Sequence, residues 1–173
     1  MQELPKNIKL EAILATDINY GIAKNGKIPW KNVTDMNFFK SKTIDNVVIM
    51  GSNTLLSLPS AKPLKNRYNI VLTNNKQKFI DKYLIYDNVI FFNYDELIYY
   101  LNNYKNISNK TFYVIGGKEI YELLIPYCSK IWLSIVNDDY NCDLKMNLDL
   151  NNCNVNYEYV DDELTICSLI IKK

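Results

Sequence analysis

The sequence predicts an α/β fold: one domain built on a mixed, mostly parallel sheet flanked by helices, with an antiparallel hairpin at one edge. Three observations point there. Short apolar runs alternate with helix-length patterns along residues 9–136, an arrangement that yields parallel strands with helices on their faces. Two of those runs, Val47-Val48-Ile49-Met50 and Phe112-Tyr113-Val114-Ile115, pass through glycine straight into a helix pattern. The chain then closes on two strand-like runs, 157–161 and 165–171, separated by an acidic turn, which add antiparallel strands at one edge.

Taken in order, residues 9–16 read as a buried strand. Thr34 reads as the cap of a helix over 34–43. A strand over 47–50 leads through Gly51 into a short helix over 52–58, and further strands follow at 69–73 and 89–92. Residues 94–103 form an amphipathic helix through Leu97, Ile98 and Leu101, three positions that share one helical face. A strand over 111–115 runs into Gly116-Gly117, a helix over 119–124 stops near Pro126, and 130–136 is a strand. Ligands in such sheets sit at the carboxyl ends of the strands. That rule places the loop after Ala15 on one rim with Gly51, Thr73, Gly116 and Gly117.

At 173 residues one domain is expected over 1–173, with residues 1–8 as an extra N-terminal segment. Hydrophobic residues make up 48% and charged residues 23%, as in an ordinary soluble globular protein. A net charge of +1 without basic blocks gives no electrostatic case for nucleic acid. The N-terminus lacks a secretory pattern and no apolar run approaches membrane-spanning length, so a cytoplasmic protein with no membrane partner is expected. Cys128, Cys142, Cys153 and Cys167 include no CxxC pair and read as reduced thiols, with no metal site expected. The chain has no histidine. Ser-His and Cys-His nucleophiles are therefore excluded, and acid–base chemistry falls to carboxylates, Tyr, Lys, Cys or water.

The most informative segment is Gly21-Ile22-Ala23-Lys24-Asn25-Gly26-Lys27-Ile28-Pro29-Trp30, followed by the lone acid Asp35. On a helix Asp35, Met36 and Phe39 share a face. A carboxylate beside an aromatic wants two parallel donors, an amidine-like edge. On its own, Asp35 reads more readily as a solvated first-turn acid complementing the helix dipole, and it is the rest of the chain that reverses this. The two strand–glycine–helix turns each aim helix N–H groups at the rim, and facing each other they suit a pyrophosphate. Neither GxxxxGK[ST] nor GxGxxG is present, which argues against a P-loop and a standard dinucleotide-binding domain. Arg67, just ahead of a strand, is a fork-shaped donor suited to a carboxylate.

In combination and in order, these residues resemble dihydrofolate reductases: Ala12-Ile13-Leu14-Ala15; residues 21–30; Asp35 with Phe39-Lys40; Val48-Ile49-Met50-Gly51 with Thr54 and Ser57; Pro63-Leu64 and Arg67; Ile70-Val71-Leu72-Thr73; Val114-Ile115-Gly116-Gly117 with Ile120-Tyr121; and Cys142-Asp143. The similarity spans about residues 9–171. It implies the fold of that family, an NADPH cofactor and 7,8-dihydrofolate as the small-molecule substrate, reduced to tetrahydrofolate in one-carbon metabolism. Asp35 would grip the pterin, Trp30 would support the substrate through ordered water, and Ser134 would brace Asp35. Met36, Phe39, Ser57, Leu58 and Leu64 would line the substrate pocket with Tyr121, Ala15 and the backbone carbonyls of Ile13 and Ile115. Arg67 would hold the glutamate carboxylate. Ala15 and the lid residues Ile22, Ala23, Lys24, Asn25, Gly26, Lys27 and Ile28 would approach the nicotinamide. Gly51, Ser52, Asn53 and Thr54, with Ile115, Gly116, Gly117, Lys118, Glu119, Ile120 and Tyr121, would hold the cofactor phosphates. Leu72, Thr73, Asn74 and Asn75 would lie beside the adenosine, and Asp143 would pin a loop that packs on the lid.

The chain departs from the family pattern in places. Ser52, Asn53 and Asn74 stand where basic residues usually face the cofactor's 2′-phosphate, leaving Lys76, Lys78 or Lys118 to supply that charge. Ala23 replaces a glycine, Leu55 an aromatic, and Lys145-Met146-Asn147 an aromatic–proline stretch. Two rival readings share the fold: a pyrimidine reductase, and a binding module without catalysis. Asp35 with Arg67 and both glycine turns favours the folate reading. The resemblance is compatible with a chain that acts alone and with one fused to or paired with thymidylate synthase.

Overall fold

The computed structural model describes residues 4, 8–103 and 109–172. Strands β1 (Leu10–Thr16), β3 (Val47–Gly51), β4 (Tyr68–Leu72), β5 (Val89–Phe92), β6 (Phe112–Gly116), β7 (Lys130–Val136), β9 (Cys153–Val160) and β10 (Leu164–Ile171) build one sheet in the order β5-β4-β3-β6-β1-β7-β10-β9. All pairs from β5 to β7 are parallel, and β10 runs antiparallel between β7 and β9. The expected architecture therefore holds, with the terminal hairpin at one edge. It starts earlier than the 157–161 reading, because 153–156 alternate polar and apolar residues and pair with β10.

Covered on both faces, the central strands are buried almost throughout; Val48, Ile49, Met50, Ile70 and Val71 are fully buried. On one face Leu97 and Leu101 of helix α4 (Tyr94–Asn103) and Leu124 of helix α5 (Lys118–Leu124) pack on Leu14, Ile49, Val114 and Leu133. The other face meets helices α1 (Val33–Thr43), α2 (Ser52–Ser57) and α3 (Gln77–Tyr83) through Phe38, Phe39, Leu55, Phe79 and Tyr83. Of the expected N-terminal extension, Leu4 and Ile8 are described, and both pack against the first cluster.

Three details correct the sequence reading. The cap of α1 is Asn32, whose Oδ1 accepts the Asp35 N–H at 2.9 Å, and Thr34 lies inside the first turn; both types cap well, and the helix begins one residue before Thr34. Helix α3 went unread because only Phe79 and Tyr83, four apart, carry its apolar face; they pack on Phe91 at 5.5 Å. Two very short strands, β2 (Gly21–Ala23) and β8 (Leu144–Lys145), pair as an antiparallel ribbon inside segments expected as loops.

The β3–β6 ladder carries an irregularity after Ile49↔Val114, where Met50 pairs with Gly116 and Ile115 is the extra residue. Such bulges re-aim the chain beside sites. Leu133, fully buried in the first cluster on β7, tests the core: Leu133→Ala should cost about 2–5 kcal/mol, read as a lower urea midpoint with an unchanged m-value.

Candidate active site

The parallel topology brings the ends of β1, β3, β4 and β6 to one rim, and helix α1 begins above it. Asp35 sits in the first turn of α1, partly buried. Burial pushes its carboxyl above the ordinary carboxylate range, and a hydrogen bond from the Ser134 hydroxyl opposes that shift without cancelling it. Ser134 is itself buried, on β7 beside Ala15 of β1. Below Asp35, Phe38 meets Trp132 edge-on at 5.8 Å, and Lys42 Nζ stands 3.8 Å from that ring. Trp132 Nε1 donates to the buried Glu11 carboxylate at 2.7 Å. The helix carrying Asp35 is thus pinned to β1 and β7 by one aromatic column.

Around this acid the fold gathers Ile13, Phe39, Leu58, Leu64 and Ile115 into a single apolar cluster. Met36, expected with them, is 56% exposed. The Ser57 hydroxyl donates to Thr54 O at 2.7 Å and stays exposed. Trp30 is buried in a neighbouring cluster with Cys142, Val136, Leu164 and Ile166, against which Ala15 and Phe38 also pack. Arg67 lies at the far end of α1, its Nε donating to Thr43 Oγ1 at 3.1 Å and its Nη1 to Lys65 O at 2.7 Å.

The glycine turns face each other. A Cβ on Gly51 would lie 3.1 Å from Ile120 Cγ1 and 4.0 Å from Gly116 O, and one on Gly117 would lie 3.6 Å from Thr54 Oγ1. Gly51 and Gly117 are the N-caps of α2 and α5, and neither helix has a side-chain cap bond there. Gly116 has φ 118°, a region that suits glycine, and the Gly116–Gly117 peptide is cis.

One side chain joins the two halves of this rim. Tyr121, buried on α5, donates its O–H to Ile13 O at 2.8 Å. Its ring would lie 3.2 Å from a Cβ on Gly116. Burial first, and then the negative charge of Asp35, raise the phenol's pKa and keep it protonated. Ile13 of β1, the Gly116 turn and the surroundings of Asp35 therefore meet at one phenol.

A family model for dihydrofolate reductase matches residues 9–163. The dihydrofolate reductase of Ureaplasma parvum serovar 3 is 31% identical over 161 residues, covering 91% of this chain and 94% of that protein. The chain belongs to the dihydrofolate reductase family. A bifunctional dihydrofolate reductase-thymidylate synthase of Paramecium tetraurelia is 34% identical over 143 residues, 82% of this chain but 29% of that protein. Among solved structures, the dihydrofolate reductase from Enterococcus faecalis complexed with NADP(H) and RAB-propyl superposes with a TM-score of 0.76 at 26% identity, covering 96% of this chain and 99% of that one.

Of the three lysines expected to supply charge for a 2′-phosphate, two are engaged by carboxylates. Lys76 forms an ion pair with Glu96, which also closes a reciprocal cap with Asn93 at 2.8 and 2.9 Å. Lys118 pairs with Glu122 at 3.7 Å, and Lys78 is exposed. Leu72 is buried, Asn74 and Asn75 are exposed, and the Asn75 N–H is held by Thr73 Oγ1 at 3.1 Å. Ser52, Asn53, Lys118, Glu119 and Ile120 flank the turns without full burial. Among the described residues no cluster of Cys, Asp or Glu could hold a metal ion.

The segment expected as a lid is a hairpin rather than an irregular loop. Lys24 and Lys27 exchange backbone bonds at 2.8 and 3.1 Å around Asn25 (φ 51°) and Gly26 (φ 74°), the two-residue hairpin turn that an Asn-Gly pair signals. Ile22 packs on the core, whereas residues 24–28 are exposed. Asp143 Oδ2 accepts the Asn25 N–H at 2.8 Å, and the Asp143 N–H donates to Ala23 O at 3.1 Å. The base of this hairpin hangs on a residue the sequence did not single out. Asp17, fully buried, accepts the N–H groups of Gly21 at 2.8 Å, Asn19 at 2.9 Å and Tyr140 at 3.2 Å. A Cβ on Gly21 would fall 2.3 Å from Cys142 Cβ, so only glycine fits there.

Burial alone would raise the Asp17 pKa; those three N–H bonds, with the Cys142 thiol, outweigh it and leave it below the usual range. Its stabilising contribution is thus present above the unfolded-state pKa and lost as pH falls toward the folded one. Asp17→Asn should lower Tm at neutral pH, and the gap to wild type should narrow on acidification through the carboxylate range; a gap independent of pH would contradict this.

Proposed function

We propose that the chain reduces 7,8-dihydrofolate to 5,6,7,8-tetrahydrofolate with NADPH. The Tyr121 bridge carries the reading. A single phenol touches Ile13 and Gly116 within range of the Asp35 charge, so the acid and the paired turns serve one cleft. The turns fit the cofactor's pyrophosphate, since glycine at 51 and 117 leaves open backbone where a Cβ would crowd Ile120 or approach Thr54. When bound, NADPH supplies a hydride from nicotinamide C4.

The chain's own residues align, polarise and dry the reaction. Asp35 accepts two parallel N–H bonds from the pterin ring and its 2-amino group, and so favours protonation at N5, the proton arriving from water. Because the acid is poorly solvated, gaining this donor pair compensates it far more than water at a surface would. The carbonyl of Ile13 already accepts Tyr121 and keeps a second lone pair for substrate, as does that of Ile115. Met36, Phe39, Leu58 and Leu64 enclose the pterin and benzoyl rings, with Ser57 and Ala15 at their edges and Trp30 acting through ordered water. From Asp35 to Thr43, α1 rises about 12 Å, and Arg67 at its end holds the glutamate carboxylate. The lid from Ile22 to Ile28 closes over the nicotinamide and excludes water.

The chain acts as one domain in the cytoplasm, alone or joined to a thymidylate synthase. With Lys76 and Lys118 engaged by carboxylates, preference for the 2′-phosphate of NADPH over NADH is modest. Asp35→Asn should lower kcat by about 10²-fold or more at neutral pH, read as loss of nicotinamide absorbance, while NADPH titrated by protein fluorescence binds as in wild type. Near-normal turnover in that variant would refute the role of Asp35.

A further inference from the structure

Strand β1 is buried almost throughout, yet it carries a carboxylate between Leu10 and Ala12. Glu11 is 3% exposed, a costly place for a charge without partners. Its Oε2 accepts the indole N–H of Trp132 at 2.7 Å, and Lys9 Nζ stands 3.5 Å from its Oε1. Burial first, and then the Glu11 charge, raise the pKa of Tyr113 on β6 and of Cys128. No step of the reaction above uses this acid.

The bond to Glu11 fixes the tilt of a ring on which α1 rests. That helix has little else to set against the sheet: Val33 and Met36 are exposed, which leaves Phe38 and Phe39. Asp35, Phe38 and Lys42 follow one another at i, i+3 and i+7, along one stripe of the helix. Phe38 meets Trp132 edge-on at 5.8 Å and Lys42 Nζ stands 3.8 Å from the same ring, so the later turns of the stripe land on one indole. Lys130 Nζ adds a second cation at 4.7 Å. Neither lysine belongs to the ion pairs found among the described residues. Edge-on and cation contacts both depend on how the ring is turned. Trp132 also pairs with Ile13 across β1 and β7, and both lie in the apolar cluster around Asp35. A ring that turned would carry the helix, and its acid, with it.

We propose that Glu11 is a positioning residue for Asp35: by holding the Trp132 indole it sets the seat of α1, and with it how far Asp35 is withdrawn from water. The catalytic consequence rests on the reductase reading above; the positioning does not. The bond matters more than the charge, so an uncharged acceptor at position 11 serves as well.

Glu11→Leu removes the acceptor, and Glu11→Gln keeps one while dropping the charge. Three quantities are measured in each: the titration midpoint of the Asp35 carboxyl carbon by NMR in the free protein, kcat with NADPH and dihydrofolate, and NADPH affinity by protein fluorescence. In Glu11→Leu the midpoint should fall toward the ordinary aspartate range and kcat should drop about tenfold, with NADPH bound as in wild type. Glu11→Gln should keep the wild-type midpoint and turnover. If Glu11→Leu fails to fold, Trp132→Phe, which keeps a ring but has no N–H to donate, carries the same expectations. An unmoved midpoint in the variant lacking the bond, equal effects of Leu and Gln, or NADPH affinity falling in step with kcat would overturn the proposal. A shifted midpoint in a chain that reduces no dihydrofolate would instead refute the reductase reading alone.

Discussion

The structure turns on a carboxylate that the fold withdraws from water and compensates incompletely. Asp35 has the N-terminus of α1 behind it and the Ser134 hydroxyl beside it, yet burial still dominates and raises its pKa. A group in that condition gains most from a ligand bringing two donors at once. Its position is not left to the helix alone. Asn32 fixes the first turn, and the column from Lys42 and Phe38 through Trp132 to Glu11 fixes the helix to the sheet. An acid on a freely rocking helix would find water instead.

Parallel pairing supplies the rest of the cleft. Strands that all end at one rim deliver Ala15, Gly51, Leu72 and Gly116 together, although they are far apart in the chain. The bulge at Ile115 and the positive φ of Gly116 let the Tyr121 ring close against the backbone. The phenol then reaches β1. Packing that serves stability thus also sets the spacing between β1 and the Gly116 turn.

Much of this was legible in residue patterns. Asp35 stood out because an acid beside Met36 and Phe39 is costly unless partnered, and the glycine turns because glycine follows a strand and precedes a helix at both. Features resting on short or local signals were harder to read. Asn32 and Thr34 are comparable caps, α3 advertises itself by two aromatics only, and the β2–β8 ribbon is shorter than any periodic pattern can reveal. Asn25-Gly26 carried a hairpin signal that was passed over when residues 21–30 were taken together as one loop. Asp17 had no sequence signal beyond a turn-prone acid; its role comes from three N–H groups that only the folded chain brings to one carboxylate. A groove at the amino ends of β3 to β6 was likewise invisible, being assembled from loops near residues 45, 65, 87 and 110.

Hydride chemistry belongs to the carboxyl ends of the strands, where Asp35 and the glycine turns lie, and α1 runs from there to Arg67 at its far end. The central claim is that Asp35 sits poorly solvated and unsatisfied until a donor pair arrives. A carboxyl-carbon NMR titration of Asp35, with and without a bound pterin, measures this most directly. The account predicts a midpoint above the ordinary aspartate range in the free protein, falling sharply when the pterin binds. An ordinary midpoint that the ligand leaves unmoved would contradict it.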